Sequence, residues 1–247
     1  MQIIILVLNK AIKKKIRQSK SNFLNKIFFI ENWYFYNYIA SISYRVYLKF
    51  MSVTIKYKNN LSKINSSNLI MFSDENFNIS PLKKHISSSE HKFVKDLIKT
   101  MDIKKKILSF DISSKKKIIL VSLKKNIKNS DVENLGAKFY DLFKDIKQNT
   151  YNLNSNTISD KSKNFVGNFL HGLKLKSYTF EKYKTKKNKN NITINVIGKN
   201  IPSKKDQIKF KAIEDGTFCA RDLVSEPGNI LHPDEYAKRL TSFRKYG

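Results

Sequence analysis

From residue 51 onward, short runs of β-branched and other apolar residues alternate with segments of helical period. Residues 53–57, 68–72, 106–111, 117–123 and 192–197 are rich in Ile and Val and read as strands. Between them Val132, Leu135, Phe139, Leu142, Phe143 and Ile146 recur at helical spacing. Ser130 and Glu133 there have the Ser-x-x-Glu form of a capping box, which satisfies orphan N–H groups at a helix start. Phe93, Leu97, Ile98 and Met101 make a shorter amphipathic set after Ser88-Ser89-Glu90, and Phe165, Phe169, Leu170 and Leu173 make another. A last long helix takes its apolar positions from Ile208, Ala212, Ile213, Cys219, Ala220, Leu223 and Val224. Gly216 interrupts it at ~1 kcal/mol relative to Ala, which predicts close approach of another backbone. Pro227-Gly228 ends this helix and His232-Pro233-Asp234-Glu235 opens the next, with proline where no N–H is needed and acids at the positive end of the dipole. Alternation of this kind predicts an α/β fold, a mixed sheet flanked by helices and followed by a linking helix.

Residues 1–50 read differently. The apolar run at 3–8 is far short of the ~20 residues that span a bilayer, and lysines come after it instead of preceding it as in a signal peptide. The aromatic stretch 27–47 is interrupted by Glu31, several Asn and Arg45, so no membrane span is expected. Met51 opens the first alternating strand pattern and is read as the biological start, with 1–50 a doubtful extension, 51–200 an α/β domain and 201–247 a linking helix with a short C-terminal segment.

Lys and Arg number 48 against 20 Asp and Glu, for a formal charge of +28. Such a balance admits nucleic acid as a partner. The lysines look evenly spread, however, and come with heavy Asn and Ile usage, as A/T-rich codons produce. Residues 182–191 form a polar basic stretch read as a solvated hairpin or linker. The single cysteine, Cys219, excludes an intrachain disulfide and suits a reducing compartment; on the apolar side of its helix it reads as a buried structural thiol. His85, His91, His171 and His232 lack metal-ligand spacing and read as surface or packing residues. No phosphate-cradling glycine loop, nucleophile elbow or carboxylate cluster is present.

Three segments carry a resemblance. The run from Gly216 to Ala237, with Ala220-Arg221-Asp222-Leu223-Val224-Ser225-Glu226-Pro227-Gly228-Asn229 and Pro233, is similar to the linking helix and first catalytic-domain residues of leucyl (cytosol) aminopeptidases, which usually read Ala-Arg-Asp-Leu-Val-Asn-Glu-Pro-x-Asn-x-Leu-Thr-Pro. Ser225 stands where that family usually has Asn, and His232 where it has Thr. Upstream, Gly167 to Lys184 resembles its Gly-x-x-Leu-x-Ser-Tyr-x-Phe-x-x-Tyr-Lys segment, and Leu135-Gly136-Ala137 its N-terminal Leu-Gly-Ala. The resemblance implies a macro-domain-like N-terminal domain joined to a catalytic domain holding two divalent metals, Mn or Zn, with 201–247 as the linking helix and truncated start of the catalytic domain. It further implies peptide substrates, homo-hexamers and a cytoplasmic location. Arg221, Asp222, Glu226, Pro227, Asn229 and Pro233 belong to the structural junction. Nothing matches the family's Asp-x-Gly-Gly or Asn-Thr-Asp-Ala-Glu-Gly-Arg motifs, so no catalytic or metal residue is assigned, and the chain is expected to be an incomplete enzyme, inactive alone. The alternative is a stand-alone basic module that binds nucleic acid; an ADP-ribose binder by analogy with macro domains lacks the glycine-rich loops.

Overall fold

A computed structural model describes residues 53–58, 68–146, 150–158, 164–185 and 191–243. All lie within one compact unit, Ser52–Gly247. The reading of residues 1–50 as an extension, and residues 186–190 of the basic stretch 182–191, fall outside the described residues.

Six strands form one sheet in the order β1-β6-β5-β2-β4-β3. They are β1 (Val53–Lys58), β2 (Asn68–Asp74), β3 (Ile107–Ser113), β4 (Lys116–Leu123), β5 (Thr150–Asn154) and β6 (Ile192–Ile197). All neighbours run parallel except β3, which returns antiparallel against β4 as the edge strand. The helices are α1 (Ser88–Ile98), α2 (Asn129–Phe143), α3 (Phe165–Lys176), α4 (Lys204–Ser225) and α5 (Pro233–Thr241). The α/β expectation therefore holds, with five strands where the Ile/Val runs place them. β5, Thr-Tyr-Asn-Leu-Asn, escapes the pattern because Tyr and Leu alternate in it with Thr and Asn, leaving no run of β-branched apolar residues.

Two apolar cores sit on opposite faces of the sheet. One is the larger: Ile70, Phe72, Ile119, Leu153, Ile194 and Val196 of the strands meet Phe139 of α2 and Phe169 of α3. Phe72 lies edge-on to Phe165 and Phe169 at 5.3 and 5.6 Å, the geometry that aromatic quadrupoles favour. Phe165, Phe169, Leu170 and Leu173 are all buried, as their spacing predicts. The opposite face packs Leu69, Met71, Leu108, Phe110, Ile118 and Leu120 beneath α1 and the 3-10 turn Ser80–Lys84.

Several local expectations are corrected. α2 begins at Asn129 with Lys128 as its N-cap and no side-chain cap bond, so Ser130 sits inside the first turn, where it does not occupy the cap position. A true capping box stands at α1, where the Ser87 side chain accepts the Glu90 N–H and the Glu90 carboxylate accepts the Ser87 N–H. Val94, not Phe93, is the fully buried residue of α1, and Phe93 is 47% exposed. Leu142 is likewise exposed; Gly136 and Tyr140 complete the buried face of α2, while Ile146 packs on the core from beyond the helix.

The helix glycines divide by environment. A Cβ on Gly136 would collide with the Phe169 carbonyl, and one on Gly172 with that of Glu133, so α2 and α3 cross with backbone against backbone. Gly167 faces the ring of Phe210 on α4. Gly216 has nothing within 4 Å, so the close approach expected there is absent. α4 also turns the other way from its apolar pattern: Glu214 and Phe218 are buried, whereas Ile208, Ile213 and Val224 are exposed.

Candidate functional site

The residues that carry the family resemblance converge where α3, α4 and α5 meet. α3 ends at Lys176, leaving C-terminal carbonyls without helical partners. Arg221, near the end of α4, donates from Nη1 to the Leu175 carbonyl at 2.6 Å, and its guanidinium lies 5.5 Å from the centre of the Tyr178 ring. The same Tyr178 donates its hydroxyl to Asp222 Oδ1 at 2.8 Å and stacks on Phe218 at 5.5 Å. Burial, opposed by Ser225 and reinforced by Asp222, pushes the Tyr178 phenol upward.

Glu226 is the centre. It caps α4, its N–H bonded back to the carbonyls of Asp222 and Leu223, and its carboxylate side chain is only 2% exposed. That carboxylate accepts hydrogen bonds from Lys182 Nζ, Tyr183 Oη and, at 3.0 Å, Arg239 Nη1 of α5. Burial pushes its pKa up, but the bonds from Lys182, Tyr183 and Arg239 outweigh it and hold the group down at about 2. The Lys182 ammonium and the Tyr183 hydroxyl are each raised, chiefly by the bond to Glu226. The start of the basic stretch 182–191 is thus exposed, as its reading as solvated expects, and is also tied to Glu226 by Lys182 and Tyr183.

Pro227 accepts the N–H groups of Ile230 and Leu231 through its carbonyl, which makes the turn into α5, and Pro233 stands in that helix's first turn. Asn229 is exposed in this turn and does not join the network. Arg239 is the member that the sequence reading missed; its signal was the helical Glu-x-x-x-Arg spacing to Glu235, whose Oε1 it also meets at 3.3 Å.

A second polar knot ties α3 to α4. Glu214, 3% exposed, pairs with Lys174 Nζ at 2.9 Å and with His171 Nδ1 at 3.1 Å, and the His171 ring faces Phe210 at 5.3 Å. A buried carboxylate needs such partners. Burial, then the charge of Glu214, raises the Tyr57 phenol to about 12. Cys219 beside the joint is half-buried, and burial followed by the Asp222 charge pushes its thiol up, away from reactivity. Among the described residues no group of three or more His, Cys, Asp or Glu could hold a metal ion, and no helix is long and apolar enough to cross a membrane.

Known proteins resemble the chain over part of its length. No family model matches the chain. It is 37% identical over 81 residues to a probable cytosol aminopeptidase of Bradyrhizobium sp. (strain BTAi1 / ATCC BAA-1182), covering 31% of this chain and 16% of that protein. It is 37% identical over 91 residues to a probable cytosol aminopeptidase of Rhizobium meliloti (strain 1021), covering 33% and 18%. The match thus spans less than a fifth of these relatives. Among solved structures, a mutant of tomato leucine aminopeptidase superimposes with a TM-score of 0.59 at 16% identity, over 77% of this chain and 42% of that one. The bottromycin maturation enzyme BotP in complex with Mn does so with a TM-score of 0.52 at 12% identity, over 73% and 36%. The chain is therefore similar to the leucyl (cytosol) aminopeptidases, in sequence over about a third of its length and in fold over about three quarters.

Proposed function

We propose that the chain serves as the N-terminal part of a leucyl aminopeptidase, an enzyme that removes N-terminal residues from peptides. In this reading residues 51–200 are its N-terminal α/β domain and 201–247 its linking helix and the start of the catalytic domain. The observation that carries the reading is a continuous line of contact. The Leu135-Gly136-Ala137 segment meets α3 through the Gly136 and Gly172 backbones. The Gly167 to Lys184 segment in turn meets the Arg221 to Asn229 segment through Leu175–Arg221, Tyr178–Asp222 and Tyr183–Glu226. Three stretches far apart in sequence share one mechanical path from the sheet to α5.

The two divalent ions of such an enzyme, manganese or zinc, supply an activated water and polarise the scissile carbonyl. The junction residues do not fit as their ligands: the Glu226 carboxylate is engaged by three donors and Asp222 by Tyr178. No chemical step is assigned to them; their task is to set the angle at which α5 leaves the domain. Peptide substrates, hexameric assembly and a cytoplasmic location belong to the same reading.

The test is an assay of metal-dependent leucine release from a leucyl anilide. The chain alone is expected to be inactive, and to gain activity with a catalytic domain of a cytosol aminopeptidase supplied in trans. Release by the chain alone would overturn this division of labour, and failure to gain activity with that domain would overturn the family assignment.

A further inference from the structure

Basic charge is unevenly placed along the chain, which corrects its reading as an even spread. Residues 80–117, comprising the 3-10 turn, α1, β3 and the start of β4, hold eleven lysines against four acids. The described part of 118–243 holds seventeen Lys and Arg against twelve acids over about three times the length. The surplus is also on the outside, since nine of the eleven lysines are exposed.

The acids of this layer are already occupied. Glu90 binds Lys116 at 2.6 Å, Asp111 binds Lys117, Asp96 pairs with Lys99 at 3.1 Å, and Asp102 accepts the backbone N–H of Lys104. No described carboxylate pairs with Lys92 or Lys95 on α1, with Lys83 or Lys84 beside it, or with the side chains of the run 104–106. Lys92, Lys95 and Lys99 lie along one exposed line over about 10 Å of helix axis. Two apolar side chains stand among these charges: Phe93 at 47% exposure and Ile103 at 53%. An aromatic ring left in solvent beside exposed lysines is a surface for base stacking.

We propose that the outer face of α1 and the adjoining loop 103–106 bind single-stranded nucleic acid. The lysines neutralise backbone phosphates with release of counterions, and Phe93 stacks on a base. A single strand is favoured over a duplex because a duplex offers phosphates but hides its base faces, which would leave Phe93 in water. This surface lies on the face of the sheet opposite α2 and α3, and the inference does not rest on the aminopeptidase reading.

The experiment is fluorescence anisotropy of a labelled oligothymidylate of about 20 nucleotides with the full chain, between about 50 and 200 mM salt. Log affinity is expected to fall linearly with log salt. The triple variant Lys92→Gln, Lys95→Gln, Lys99→Gln should flatten that slope by about 2, at roughly 0.7 per phosphate released from a single strand. Phe93→Leu should weaken binding about five-fold or more, the low end of one lost base stack, with the slope and the circular dichroism unchanged. Lys204→Gln, Lys205→Gln, Lys209→Gln removes equal charge from α4 as a control. The proposal is overturned by no binding at the lowest salt, by an equal loss in the α4 control, or by an unaffected Phe93→Leu. Tighter binding to a duplex of the same length, or to phosphatidylserine vesicles, would overturn it as well.

Discussion

α3 makes two contacts of opposite character. Toward α2 it is apolar and interlocked, with Gly136 and Gly172 each admitting the backbone of the other helix and Phe139 meeting Phe169 at 5.9 Å. Toward α4 it is largely polar: His171 and Lys174 hold Glu214, Leu175 holds Arg221, and the residues that follow the helix, Tyr178, Lys182 and Tyr183, hold Asp222 and Glu226. Shape specifies the first contact and charge the second. Shape tolerates almost no change, because close-packed backbone cannot move aside. A charged contact can lose a partner and still leave the domain folded.

The largest effect is therefore expected on the apolar side. Gly136→Ala or Gly172→Ala places a methyl group against a main-chain carbonyl and should cost about 3 kcal/mol or more, at the upper end of overpacking. Urea titration of the chain measures it; a cost below about 1 kcal/mol would show that α2 and α3 slide freely.

Next in size is the joint. Glu226→Gln leaves Lys182 and Arg239 facing a neutral amide and should lower the local stability of α5 by roughly 2 kcal/mol, as for hydrogen bonds to charged groups. Hydrogen exchange of residues 233–243 should rise while that of β2 and β4 is unchanged. The pH dependence has a defined sign. The Glu226 carboxyl is held at about 2 in the folded chain against an ordinary 4.5, so its contribution is complete above about 4.5 and is lost as pH falls toward 2. α5 should loosen in that window in the native chain, and Glu226→Gln should flatten the profile.

This contrast also explains what was legible in the sequence. α3 is enclosed by the sheet, α2 and α4, so each apolar residue in its pattern is buried and period alone identifies the core. α4 buries only Glu214 and Phe218, so its many apolar residues point to the wrong face. The polar joint has no local signature at all. Glu226 finds Lys182 and Tyr183 more than forty positions earlier, and only the resemblance marked the two segments as belonging to one structure. Asn229 belonged to the same motif yet stays outside the network, because the Pro227 turn directs it to solvent. The basic layer is a different case: its eleven lysines lie within the contiguous stretch 80–117, on the 3-10 turn, α1, the loop before β3 and the edge hairpin, and the fold adds that nine of them face solvent while the acids among them are engaged.

The smallest predicted effect has the opposite sign. Gly216 lies in the middle of α4 with nothing within 4 Å, so it makes none of the close contacts that justify Gly136 and Gly172. Ala at that position clashes with nothing, has higher helix propensity and narrows the unfolded ensemble. Gly216→Ala should therefore stabilise the chain by about 0.5–1 kcal/mol in the same urea titration. A loss of stability comparable to that of Gly136→Ala would mean that α4 is covered at Gly216 in solution, and the three glycines would then share one role.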